Sequence, residues 1–422
     1  MKRSWLMMGA ALTVAAMVAC ESDSVNTTGP VGQNAFLRYV AVGTSLSMGV
    51  QSDGVLYTTQ REDWTALLAH QAFATFTQPL IQGPGCFSPF IAPLQFGRRL
   101  SGAAAPGTAA SDLVCVLFPN ITLPAQDVAI DGANTYDALR VSPETTAVES
   151  QKRKLQYPLV LPARKTQVTA MMSQNPTLVS VELGANEVLG AATSGLLLPA
   201  TAYRTTFSYV PFAVWQPVYS AVLDSVAKTG AKAILVGVPN TASIISLRTG
   251  DAIWQDRAEL AGFGVAVNAD CNGSTNLIFV PTKVGTAVAT ARATGTAFNF
   301  SCADVPGTQD QVLTPADVTT ITSVVNAMND YIKSQASAHG WAFLDLDALL
   351  AANVNPRPPY SVGVHFTCNN PWGQYVSLDG VHPNVVGYQL MANAGADALN
   401  ATYHFTIAKN VPVALTAAQL CP

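Results

Sequence analysis

Charge is scarce in this chain. Only 11% of its 422 residues are Asp, Glu, Lys or Arg, and the net charge is −4. There is no basic footprint to neutralise phosphates, so nucleic-acid binding is excluded as a primary role. No Cys-x-x-Cys pair occurs, which argues against a structural metal site, since such sites need ligands at short spacing. No internal repeat and no low-complexity tract follows residue 35, which excludes solenoid and fibrous architectures. The apolar stretch at the N-terminus, Trp5 to Ala19, falls short of the ~20 residues that a spanning helix needs.

What is present is a globular composition, 49% hydrophobic, ample for a large core. The N-terminal stretch follows Lys2 and Arg3 and ends Met17-Val18-Ala19-Cys20, the layout of a cleaved export signal. The placement of the cysteine resembles a bacterial lipoprotein processing site, with Met17 where leucine is more usual. That resemblance implies that Cys20 becomes the lipidated first residue of an exported, envelope-anchored protein. Residues 21–35 are small and polar and read as a flexible tether, leaving 36–422 as a single domain. Beyond Cys20 there remain Cys86, Cys115, Cys271, Cys302, Cys368 and Cys421, an even set that in an exported chain suggests disulfides. Pairing of sequence neighbours is expected, because short loops close most readily.

Along the body, apolar runs ending in glycine-containing corners alternate with helical spacings. Tyr39–Val42 leads to Gly43-Thr44-Ser45-Leu46, and Val128–Ile130 leads to Asp131-Gly132. Thr177–Leu183 leads to Gly184-Ala185-Asn186-Glu187, Ala233–Val238 to Pro239, and Trp341–Leu346 reads as the last strand. Helical spacings include one around Trp64–Gln71, one over 163–174, and one from Pro211 to Lys228. Thr314-Pro315-Ala316-Asp317 supplies a cap, a first-turn proline and a first-turn acid for a further helix. This order predicts parallel βα units. Residues 82–124 and 241–314 break the pattern and read as insertions.

Gly43-Thr44-Ser45-Leu46, Gly184-Ala185-Asn186-Glu187 and, near the end, Asp379-Gly380-Val381-His382-Pro383 together resemble the SGNH hydrolases, also called GDSL esterases and lipases. The resemblance covers roughly residues 36–403. It implies a three-layer α/β/α sandwich with a mainly parallel sheet of about five strands, and a serine esterase that needs no cofactor and works through an acyl-serine intermediate. Carried over to this chain, Ser45 matches the nucleophile, His382 the general base, and Asp379 the acid that orients the imidazole. The oxyanion donors would be the backbone N–H groups of Ser45 and Gly132 and the amide of Asn186. Gly132 directly follows a strand-like run, although Gly97, Gly102 and Gly107 are also in range. Thr44 departs from the acid that commonly precedes the serine, and Glu187 from the aspartate that often follows the asparagine. His365 is the best substitute base.

The expected partners are an ester substrate, either lipid or acylated carbohydrate, and the membrane through the lipid anchor, with the protein itself a monomer. Deacetylation of a carbohydrate or acyl transfer to a sugar is the alternative chemistry. A catalytically silent surface binding protein is the alternative class.

Overall fold

Four short runs of small and branched apolar residues make the central sheet: β1 (Tyr39–Val42), β2 (Leu178–Val181), β3 (Lys232–Val236) and β4 (Ala342–Leu344). They lie in the order β1-β2-β3-β4 and every neighbouring pair is parallel. The computed structural model describes residues 30–104, 115–354, 361–416 and 419–421. The export signal, Cys20, the first part of the tether and Gly107 lie outside the described residues.

A fifth line of backbone runs along the outer edge of β1. The Ala41 N–H donates to Gln126 O (2.9 Å) and the Val128 N–H to Ala41 O (3.0 Å), with one parallel bridge at Asp127. The expected strand at Val128–Ile130 is therefore a bridged segment, because the chain turns away at Gly132, whose φ is +71°. The architecture is the expected α/β one, with four strands where about five were anticipated.

Helices connect and cover the sheet: α1 (Ser45–Met48), α2 (Trp64–Gln71), α3 (Thr135–Arg140), α4 (Gln151–Val160), α5 (Gln167–Ser173), α6 (Asn186–Ser194), α7 (Phe212–Lys228), α8 (Pro315–His339) and α9 (Val385–Tyr403). Strand side chains alternate between two cores, as the period of two requires. Tyr39, Ala41, Ile234 and Leu344 pack with Trp64 and Leu68 of α2 and Met391 and Leu399 of α9. Val40, Val42, Val179 and Leu235 pack with Met171 of α5, Trp215 and Val222 of α7, and Ile321, Val325 and Met328 of α8. Burial on both faces is what a parallel sheet demands. The start of α8 follows its sequence signal: the Thr314 hydroxyl accepts from Asp317 N–H, and the Asp317 carboxylate accepts from Thr314 N–H at 2.8 Å.

The insertion at 241–314 has a core of its own, in which Ile253, Val265, Ile278, Val284 and Phe300 are buried together with Val362, Phe366 and Trp372. An antiparallel trio of strands, Leu247–Thr249, Leu277–Phe279 and Val312–Leu313, frames it. The cysteines pair as neighbours: Cys86 with Cys115, Cys271 with Cys302, and Cys368 with Cys421, with Cα–Cα distances of 4.8, 4.9 and 5.7 Å. Residues 30–35, read from the sequence as the end of the tether, are folded. Val31 pairs with Thr406, Gly32 lies against the Phe405 ring, and Gln33–Arg38 form a 3₁₀ helix.

Beneath the edge of β1 two acids are buried side by side. Asp63 caps α2 through Thr65 N–H and Ala66 N–H and accepts from the Gln78 amide at 2.7 Å. Burial pushes its carboxyl up to about 7, and Asp127 is raised well above the usual range by burial and then by the charge of Asp63. Both therefore take up protons on folding, so the stability they contribute is full below their unfolded pKa, about 4, and is lost as pH rises through their raised folded values, which for Asp63 means through about 7. Melting temperature by calorimetry is expected to be higher at pH 5 than at pH 8. Asp63→Asn should flatten that difference.

Candidate active site

The turn after β1 is built by close approach. A Cβ at Gly43 would lie 2.5 Å from the Ser47 hydroxyl oxygen and 3.0 Å from Glu182 Oε2, so only glycine lets the strand pass. Ser45 opens α1 and is buried. Glu182, immediately after β2, clamps this turn. Its carboxylate accepts from the Thr44 N–H and hydroxyl, both at 2.8 Å, and from the Ser47 N–H and hydroxyl at 3.3 and 3.2 Å. Trp64 Nε1–H donates to the same Ser47 hydroxyl at 3.1 Å. Burial, which these hydrogen bonds only partly offset, pushes the Glu182 carboxyl up to about 7. The sequence places Glu182 in a strand and gives it no role; an acid inside a Val-Ser-Val-Glu-Leu run was the available signal.

The other two strand-end corners meet beside this one. Ile130 N–H donates to Gly43 O at 3.2 Å, and Asp131 N–H approaches Met48 Sδ at 3.2 Å, so the Gly132 turn lies against α1. The Asn186 side-chain amide donates to Ala133 O at 2.8 Å. A primary amide has a second N–H to offer. Glu187 reaches the same segment, accepting from Thr135 N–H at 2.7 Å and from the Tyr203 hydroxyl at 3.0 Å. Gly132 holds its place by backbone conformation, since a Cβ there would meet only Arg153 Cδ, at 3.7 Å.

The terminal block is a tight turn closed around Asp379. His382 Nδ1 and Asp379 Oδ2 are 2.8 Å apart, while Asp379 Oδ1 accepts from the N–H groups of Val381 and His382, each at 2.8 Å. Gly380 has φ +73°, and a Cβ would lie 2.6 Å from that of Ser246. This turn is stitched to the loop that leaves α1. Asp53 N–H donates to Asp379 Oδ2 (2.6 Å), Ser52 N–H to Ser377 Oγ (2.8 Å), and the Tyr388 hydroxyl to Val50 O (2.7 Å). Val50 N–H in turn donates to Ser45 O at 3.0 Å. These bonds tie the corners that carry Ser45, Gly132, Asn186, Asp379 and His382 to one another, beyond the carboxyl ends of the strands, where sites in open α/β sheets form.

Charges around the imidazole oppose its burial. Burial alone would lower the His382 pKa, but Asp379, by charge and by hydrogen bond, and then Asp131 and Asp53 raise it above the ordinary value. Asp379 is held below the usual carboxylate range because His382 and its hydrogen bonds outweigh its burial. Asp131 and Asp53 are themselves tied to cations: Lys152 Nζ lies 2.5 Å from Asp131, and Arg99 Nη2 lies 2.6 Å from Asp53. If His382 must be neutral to accept a proton, activity rises with pH through this raised pKa. The acid limb of kcat/KM is expected above about 6.5. Asp131→Asn should move it towards acid, as a pH–rate profile on an uncharged ester would read.

His365, the substitute base, and three further acids fall elsewhere. His365 is buried in the core of the insertion, its ring centroid 4.3 Å from that of Trp372, and burial takes its pKa down to about 3. Asp345 caps its own helix through Ala348 N–H, and Asp347 accepts from Asn240 N–H. Asp270 lies beside Cys271 and Cys302, but the disulfide between those cysteines occupies both sulfurs.

Neither a protein-family model nor a curated protein matches the chain. Among solved structures, one matching chain is a provisionally assigned GDSL-like lipase from Parabacteroides merdae, 13% identical, covering 85% of this chain and 94% of its own, with a TM-score of 0.34. A superposition that loose carries no argument about function, which has to come from the site.

Proposed function

We propose that the chain is a serine esterase that hydrolyses carboxylic esters through an acyl-Ser45 intermediate, exported and held in the cell envelope by lipid on Cys20. In this reading Ser45 Oγ attacks the ester carbonyl while His382 Nε2 takes its proton, and the imidazolium returns that proton to the departing alkoxide. Water then attacks the acyl-serine with His382 again as base, releasing the acid and restoring the hydroxyl. Asp379 keeps the proton on Nδ1, so that Nε2 faces the nucleophile, and stabilises the imidazolium. The Ser45 and Gly132 N–H groups and the Asn186 amide take the developing oxyanion.

The observation that carries this reading is the 2.8 Å contact between His382 Nδ1 and Asp379 Oδ2 in a turn bonded to the loop behind Ser45. Three disulfides are consistent with export. A fluorophosphonate probe tests the core of the proposal, since it should label the wild type at Ser45 and fail on His382→Ala. Labelling that is indifferent to His382 would sink it. Asn186→Ala is expected to lower kcat about 10²- to 10³-fold if its amide faces the oxyanion, with KM little changed.

A further inference from the structure

The strands of a parallel sheet all begin at one edge, and the loops at that edge are unlike the rest of the chain. Residues 30–38, 72–77, 174–177, 228–232, 339–341 and 403–408 include Arg38, Lys228 and Lys232 and not one Asp or Glu, although the whole chain has 26 acids against 22 Lys and Arg. The nearest acids on the helices above, Asp224 on α7, Asp397 on α9 and Asp330 on α8, lie a turn or more away from these loops, and Asp397 is paired with Lys409 at 3.0 Å. The same edge presents large apolar side chains to solvent: Val31, Leu37 and Phe73 are 62%, 68% and 67% exposed. Their segments are joined: Gln33, in the same 3₁₀ helix as Leu37, donates its side-chain amide to Phe73 O at 2.7 Å, and Val31 N–H donates to Thr406 Oγ1 at 2.8 Å. Lys232 Nζ lies 4.8 Å from the Tyr403 ring centroid beside them. Exposed apolar groups ringed by cations match the chemistry of an anionic bilayer surface.

The chain joins the described body at this edge, at Pro30. Cys20 lies ten residues upstream, a leash of at most about 36 Å when fully extended. α8, with 25 residues, is about 38 Å long and ends at this edge just before β4. The leash is therefore shorter than the body is tall, before any detour around it. Nor can the leash cover the patch, because Val25 is the one large apolar residue between Glu21 and Gly29.

We propose that this face, centred on Leu37, Phe73 and Lys232, rests on the anionic lipid surface that holds the chain, so that the Ser45 and His382 end opens away from that membrane. Its substrate is then drawn from the aqueous side or from a facing surface, not from the leaflet underneath. The proposal rests on lipidation at Cys20 and is independent of the hydrolytic reading.

The test uses the full mature chain in phosphatidylglycerol/phosphatidylcholine vesicles doped with spin-labelled lipid. A fluorophore is attached at Leu37→Cys or, separately, at Phe96→Cys, on the hairpin that packs beside Asp53. Quenching is expected to be several-fold stronger at 37 than at 96, and the contrast should shrink when Lys228→Glu and Lys232→Glu are combined. Equal quenching, or stronger quenching at 96, overturns the orientation. Mass spectrometry of the mature N-terminus reads the lipid on Cys20 separately, so a lipidated chain with the wrong contrast defeats this inference while leaving the anchor standing.

Discussion

Ser45→Ala is expected to lower kcat on short p-nitrophenyl esters by roughly 10⁴-fold or more, with the fold and the melting temperature nearly unchanged. Residues that act as one unit lose almost the whole rate enhancement when any one is removed. His382→Ala should cost a comparable factor, and the double variant should cost little more than either single one. That non-additivity separates a reacting pair from two residues that merely support a pocket, because independent losses would multiply. Ser45 is buried at the tip of a helix whose packing contacts come from Ser47 and Met48, so removing one hydroxyl leaves the core intact. Turnover unchanged by Ser45→Ala would defeat the assignment outright.

The second large effect is expected at Glu182. Truncation to alanine leaves the N–H groups of Thr44 and Ser47, bonded to its carboxylate at 2.8 and 3.3 Å, buried without a partner. Each such group costs about 1–3 kcal/mol, so stability should fall by several kcal/mol, and the Ser45 turn should lose its fixed geometry. Misplacement of a nucleophile by an ångström can cost about 100-fold. Glu182→Gln keeps the shape and one acceptor oxygen, and should recover most of the stability while leaving kcat reduced. A positioning role predicts that split, with the loss in kcat and not in KM. A purely structural role predicts that activity tracks folded fraction in both variants. Because the carboxyl is raised to about 7, it is partly protonated near neutrality. It adds to the acid-side stability expected from Asp63 and Asp127: its own contribution and that of Asp63 are lost as pH climbs through about 7, and that of Asp127 as pH climbs through its raised pKa.

The strands were legible because each buried run ends at a residue that cannot continue it. Gly43, Gly184 and Gly380 each mark a place where a Cβ would collide with a side chain 2.5 or 2.6 Å away, so the turns are written into the glycines. The pairing of Asp379 with His382 was legible too, since three residues in a tight turn bring the side chains together. Glu182 was not: its partners, Thr44 and Ser47, lie on a different strand corner well over a hundred residues earlier, and no local spacing joins them. The edge segment at 128–130 was over-read, because branched residues favour extended backbone without saying how many bridges a partner will grant. The insertion at 241–314 hid its own core, since short strands separated by polar turns leave no period long enough to measure.

The pairing of Cys368 with Cys421 draws a covalent ring around Asp379, His382 and the whole of α9. The proton-handling half of the proposed machinery thus sits in a segment that is closed only after oxidation, while Ser45 sits outside it. While its thiols are still reduced the chain has this ring open, and the Asp379 turn is then held only by its bonds to the loop after Ser45 and by the packing of α9; oxidation adds a covalent closure to that hold.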